Sequence, residues 1–132
     1  FFADVAPLFT SDGFRTDAFF DLPRYEPAEV DAARIRVEEA TGPLLLLSGD
    51  DDHQWPATDM AGEIVKRIGE HGRAGDITNV VYPAAGHVFL LREFMAAPAD
   101  RIGPPFAFGG NIKADAAASR DAWPRIASFL GS

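Results

Sequence analysis

Cysteine is absent from the 132 residues. That excludes disulfide frameworks, thiolate-held metals and a cysteine nucleophile within the chain, and it suits a reducing, cytoplasmic compartment. Long apolar runs are missing as well. The longest, Pro43 to Leu47, is strand-sized and far below the roughly 20 residues of a membrane helix, so no membrane partner is expected. Positive charge is scarce: 12 Lys and Arg face 20 Asp and Glu, a net charge of −8. Nucleic acid and anionic lipid both demand a basic surface, and neither fits this balance. There is no internal repeat, no low-complexity run, and no basic stretch leading into an apolar core and cleavage site. The first residue is Phe1 rather than Met, and a gene product that begins upstream is expected.

What remains is a globular composition, 47% hydrophobic and 24% charged, at the length of one domain. Residues 1–27 are rich in Phe, Asp and Pro and show no sustained period. Phe1, Phe2, Phe9, Phe14, Phe19 and Phe20 need cover, because a large exposed apolar patch is unfavourable. They are expected to pack onto the body of a larger domain, the alternative being that they line an acyl or substrate cavity.

Order begins at Pro27, which can open a short helix through Ala33. Thr41-Gly42-Pro43 then breaks the chain before a strand from Leu44 to Ser48. Its apolar residues are continuous rather than alternating, which predicts burial on both faces of a parallel sheet. Asp59 is the expected cap of the next helix, where Ala61, Ile64, Val65 and Ile68 recur at helical spacing. Glu70-His71-Gly72 ends it, with Gly72 at the C-cap. Asn79 to Tyr82 reads as the second strand, closed by Pro83. Residues 88–112 read as irregular. A last helix is expected from about Lys113 to Leu130, kinked or divided by Pro124.

Strand, helix, strand and helix make one βαβ unit with a terminal helix, an α/β arrangement. Two parallel strands leave edges and faces unpaired. An incomplete domain is therefore expected, the missing part of the sheet coming from upstream chain or from oligomerisation.

Ligands and catalytic groups of open α/β sheets sit beyond the carboxyl ends of the strands. Asp52 follows the first strand and His87 follows the second, so the two are candidates for the acid and base of a nucleophile–His–acid triad. Gly49-x-x-Asp52 places Asp52 at the tip of its turn, whereas Asp50 and Asp51 are expected to cap the turn or face solvent. Gly86 permits the tight approach that swings His87 back toward the sheet. His53 reads as a loop residue and His71 as a partner of a helix C-terminus. Asp50-Asp51-Asp52-His53 is a poor metal set, since consecutive side chains diverge and nothing completes it; no metal or cofactor is implied.

The nucleophile is not in this sequence. Ser11, Ser48, Ser119, Ser128 and Ser132 all lack the strand–G-x-S-x-G–helix setting of a nucleophile elbow. In the chain order Ser, Asp, His, the elbow would precede Asp52 and lie upstream of residue 1.

Gly42-Pro-Leu-Leu-Leu-Leu-Ser-Gly-Asp-Asp-Asp-His-Gln-Trp-Pro56, Glu70-His71-Gly72 and Tyr82-Pro-Ala-Ala-Gly-His87 resemble the acyl-CoA thioesterase / bile acid-CoA:amino acid N-acyltransferase family. So does the tail, with Gly109-Gly110, Arg120-Asp121-Ala122-Trp123 and Phe129-Leu130. The likeness is to the family's C-terminal α/β-hydrolase catalytic domain and covers roughly residues 30 to 131. It implies that residues 1–132 are the C-terminal part of one such domain, with Asp52 as acid and His87 as base. It further implies an acyl-CoA or related acyl thioester or ester substrate, attacked to give a covalent acyl-enzyme that water or an amine resolves. Another α/β-hydrolase, such as a dienelactone hydrolase or peptidase relative, is the competing enzymatic reading. A non-catalytic fragment or binding module is the third, and the isolated chain is expected to be inactive.

Overall fold

The computed structural model describes residues 9–11, 13–20, 26–94 and 106–131. A short antiparallel hairpin, β1 (Phe9–Thr10) and β2 (Gly13–Phe14), leads into a 3-10 turn at Asp17–Phe20. Helix α1 (Pro27–Ala33) follows, then β3 (Leu44–Gly49), α2 (Ala57–Glu70), β4 (Ile77–Tyr82), a 3-10 segment at Phe89–Phe94, and α3 (Ile112–Leu130). β3 and β4 pair in parallel from Leu44↔Ile77 to Gly49↔Tyr82. The α/β reading of the sequence therefore holds. Both strands end level with each other, which brings the two loops that follow to one edge of the sheet.

Helix α2 crosses from one strand to the other and turns Ala61 and Ile68 into the core. It starts at Ala57, not after Asp59. Pro56 stands at its cap and Asp59 sits in its first turn, where an acid favours the helix dipole. At its other end His71 Nδ1 donates to the Arg67 carbonyl at 2.8 Å, as expected of a histidine at a helix C-terminus. Gly72, at φ +72°, makes the left-handed exit one residue past the cap. Arg67 reaches sideways to Glu38 with two hydrogen bonds of 2.6 Å and ties α2 to the segment entering β3. Those bonds hold the Glu38 carboxyl down at about 2.

On the other side, α3 packs against the 3-10 segment and the sheet. A core cluster joins Tyr82, Ala85, Phe89, Ala118 and Ala122. The Tyr82 hydroxyl donates to Asp121 Oδ2 at 2.9 Å; burial first, and then this contact, push the phenol up to about 12.

Several other expectations need correction. Of the two outcomes expected at Pro124, division does not occur: α3 is one helix, in which the proline removes a single donor while the helix carries on to either side. Its buried residues are Asp115, Ala118, Ser119 and Ala122, whereas the apolar side chains of Trp123 and Leu130 are exposed. Leu44–Leu47 are half-buried rather than covered on both faces, because β3 has a single strand neighbour among the described residues. Of residues 88–112, read as irregular, the described part holds the 3-10 segment at Phe89–Phe94 and the start of α3, while residues 95–105 lie outside the described residues.

The N-terminal stretch, for all its lack of a sustained period, holds the β1–β2 hairpin. Phe14 meets Phe106 edge-on at 6.1 Å, and Phe20 meets Trp55 at 5.1 Å. The side-chain packing expected of Phe1, Phe2, Phe9 and Phe19 lies outside the described residues.

Candidate active site

The loops after β3 and β4 are stitched together by backbone. Asp50 N–H donates to the Tyr82 carbonyl at 3.2 Å and Asp51 N–H to the Ala85 carbonyl at 3.1 Å. A third segment closes over them: Asp52 pairs with Gly109 as an antiparallel bridge, and His87 N–H donates to the Phe108 carbonyl at 2.9 Å. Glycine is required where these backbones meet. A Cβ on Gly86 would lie 2.4 Å from the Gly109 oxygen, and one on Gly49 would lie 2.1 Å from the Ala85 oxygen.

Into this frame the two candidate side chains converge. Asp52 Oδ2 lies 3.0 Å from His87 Nδ1. The other oxygen, Oδ1, accepts the backbone N–H groups of Gln54 at 2.8 Å and Trp55 at 3.0 Å. Three donors on one carboxylate fix its plane. The Asp52 side chain is 7% exposed and that of His87 is 31% exposed, an acid under cover and a base at the rim.

The tautomer follows from the second ring nitrogen. Trp55 Nε1, which can only donate, stands 3.1 Å from His87 Nε2. Nε2 is thus the acceptor, and the proton resides on Nδ1 and points at Asp52. This is the tautomer an acid–histidine pair needs, with the lone pair on Nε2, where the indole N–H of Trp55 now holds it.

The neighbouring acids are committed elsewhere. Asp50 Oδ1 accepts from Ala84 N–H, which holds the turn in which Ala84 takes φ +55°. Asp51 accepts from His53 Nε2 at 3.0 Å and from Gly110 N–H at 2.9 Å. His53 therefore does not join His87. A cleft of about 380 Å³ opens beside the acid, bordered by Arg15, Asp17, Asp52, His53, Trp55 and Thr58. Among the described residues no three His, Asp or Glu side chains gather as metal ligands. Ser48 and Ser119 are buried, and no hydroxyl is bonded to either ring nitrogen of His87 among the described residues.

Three contributors were not singled out from the sequence. Gln54 is buried and donates to the carbonyls of Phe14 and Ala107, while the Thr16 hydroxyl donates to it at 3.1 Å; it locks hairpin, acid loop and closing segment together. Asp115 is completely buried on α3 and accepts the Gly86 N–H at 2.8 Å, directly before the histidine. Trp55 is the third. A polar residue beside an acidic turn and an acid in an alanine-rich helix were the available signals, and both are ordinary in solvent-facing positions.

Residues 16–132 match the family described as BAAT / acyl-CoA thioester hydrolase C terminal. The mitochondrial acyl-coenzyme A thioesterase 2 of Mus musculus is 37% identical over 99 residues, covering 73% of this chain and 22% of that protein. Acyl-coenzyme A thioesterase 5 of Mus musculus is 32% identical over 125 residues, 92% of this chain and 29% of that one. The peroxisomal succinyl-coenzyme A thioesterase of Mus musculus is 32% identical over 100 residues, 74% and 24% respectively. The chain spans about a quarter of the length of these curated relatives. By that match over most of its residues, the chain belongs to the BAAT / acyl-CoA thioester hydrolase C-terminal family.

Proposed function

We propose that Asp52 and His87 are the acid and base of a nucleophile–His–acid triad that cleaves acyl-CoA thioesters. The serine or cysteine nucleophile and the remaining strands of the sheet would come from chain outside these 132 residues. The observation that carries the reading is the 3.0 Å Asp52–His87 contact with Nε2 left as the acceptor. Acyl-CoA as substrate class is supported by the names of the relatives.

In the reaction so read, His87 Nε2 takes the proton of the nucleophile as its oxygen or sulfur bonds to the acyl carbonyl carbon. Asp52 stabilises the imidazolium without itself being protonated. Backbone amides of the elbow hold the oxyanion. Collapse breaks the carbon–sulfur bond, and His87 returns the proton to the departing CoA sulfur. Water then resolves the acyl-enzyme in a hydrolase, or an amine in an acyltransferase, again losing its proton to His87. Lack of cysteine favours the cytoplasm; relatives named mitochondrial and peroxisomal make an organelle the alternative, which cell fractionation decides.

The test is hydrolysis of an acyl-CoA panel, with matched esters and lactones, by a full-length protein carrying this segment. Thioester preference, loss of turnover in His87→Gln and no activity of the 132-residue chain alone are expected. Turnover in the isolated chain that survives His87→Gln would remove the reading. Preference for lactone or peptide esters would move it to another hydrolase class.

A further inference from the structure

The indole of Trp55 occupies the nitrogen that the chemistry needs. Neutral imidazole has one acceptor lone pair, and the Trp55 Nε1–H takes it at 3.1 Å. Several contacts aim the indole there. The Trp55 backbone N–H bonds to Asp52 Oδ1, so the acid that orients His87 also anchors the residue that covers it. The indole lies 6.0 Å from the imidazole with planes 28° apart, and Phe20 backs it at 5.1 Å. Phe108 stacks on the histidine at 10° and holds that ring in turn. Trp55 is nonetheless 45% exposed, so it can swing outward without emptying the core.

We propose that Trp55 is a positioning residue that caps the base: its N–H holds His87 Nε2 until the hydroxyl or thiol of a nucleophile displaces it. This rests on reading Asp52 and His87 as acid and base. One lone pair cannot serve two donors at full strength, so indole and nucleophile compete for it. The exchange swaps one donor for another; no proton moves and no covalent bond changes. With the cap on, the ring is locked with its Nδ1 proton on Asp52 and its Nε2 shielded. With the cap off, the same oriented ring is ready to accept.

The test uses a full-length protein carrying this segment, labelled with nitrogen-15. A scalar coupling across the Trp55 Nε1–H···Nε2 His87 hydrogen bond is expected in the wild type. Diethyl pyrocarbonate, which acylates free imidazole nitrogen, supplies the second readout on wild type and Trp55→Phe. The variant keeps an aromatic ring and loses the N–H. His87 is expected to react about two- to tenfold faster in the variant, the equilibrium factor of one net hydrogen bond, with His71 unchanged as internal reference. No coupling in the wild type, or an unchanged His87 rate, overturns the cap. If His71 also accelerates, the variant has lost its fold and the wild-type coupling alone decides. A proton found on Nε2 overturns the acid–base reading itself, whereas a proton on Nδ1 without the coupling overturns only the cap.

Discussion

One methyl group separates a working loop junction from a broken one at Gly86. In Gly86→Ala the new Cβ would meet Gly109 O at 2.4 Å, Gly109 C at 2.5 Å and Gly110 N at 2.8 Å, all backbone. The closest contact is roughly 1 Å inside ordinary van der Waals distance, and no flexible side chain is there to yield. Both loops are also tethered, through Gly86 N–H to Asp115, His87 N–H to Phe108 and Gly110 N–H to Asp51. Overpacking of this kind costs about 1–3 kcal/mol. Losing the buried Gly86–Asp115 bond adds about 1–3 kcal/mol, the cost of leaving the buried Gly86 N–H without its acceptor. The expected loss is about 2–6 kcal/mol, which at ordinary denaturant dependence lowers a urea midpoint by about 1 M or more. Gly62→Ala is the contrast. That glycine lies inside α2 with nothing within 4 Å of its would-be Cβ, so the same substitution should stabilise by about 0.5–1 kcal/mol. Urea unfolding of the two variants, followed by circular dichroism, checks both signs. A Gly86→Ala midpoint within about 0.3 M of wild type would refute the reasoning, because a displacement of that size cannot be free.

Two further predictions concern pH. Glu38 is held at about 2 by Arg67, below its ordinary 4.5, so the pair's stabilisation is present above about pH 4.5 and is lost as pH falls toward 2. Glu38→Gln should therefore lose less stability than wild type between pH 5 and pH 2, measured by urea midpoints at each pH; parallel curves would contradict it. The Tyr82 phenol is pushed up to about 12 by burial and then by Asp121. Its share of stability is full below about pH 10 and is lost as pH climbs through 12. Ultraviolet titration should show a late-ionising tyrosine that disappears in Tyr82→Phe and ionises earlier in Asp121→Asn, which keeps the burial and removes the charge.

The sequence was most readable where one physical signal dominated. Leu44 to Leu47 could hardly be anything but a strand, and Ile64, Val65 and Ile68 could hardly be a strand. Placing Asp52 and His87 at neighbouring strand ends needed no more than the parallel register, and the loops bring the two side chains within hydrogen-bond distance. Local preference misled where tertiary contacts took over. Asp59 is a good cap residue, but the turn that Asp52 imposes on Gln54 and Trp55 starts α2 at Ala57. β4 begins at Ile77, two residues earlier than its β-branched core suggests, because Leu44 offers Ile77 a partner. The face of α3 was unreadable for a related reason: Asp115 and Ser119 look like solvent residues until the Gly86 backbone is set against Asp115. Gln54 and Trp55 act through partners far away in sequence, at Ala107 and His87. No local pattern carries such information.

Asp52 and His87 are expected to work as one unit, and a double-mutant cycle on thioester hydrolysis by the full-length protein measures that directly. His87→Ala should lower kcat/KM by about 10²–10⁴-fold. Asp52→Ala should also be severely impaired, and the double variant should be no slower than His87→Ala alone, since an acid that acts through the histidine has nothing left to orient. Near-normal turnover in either single variant, or two losses that simply multiply, would contradict it.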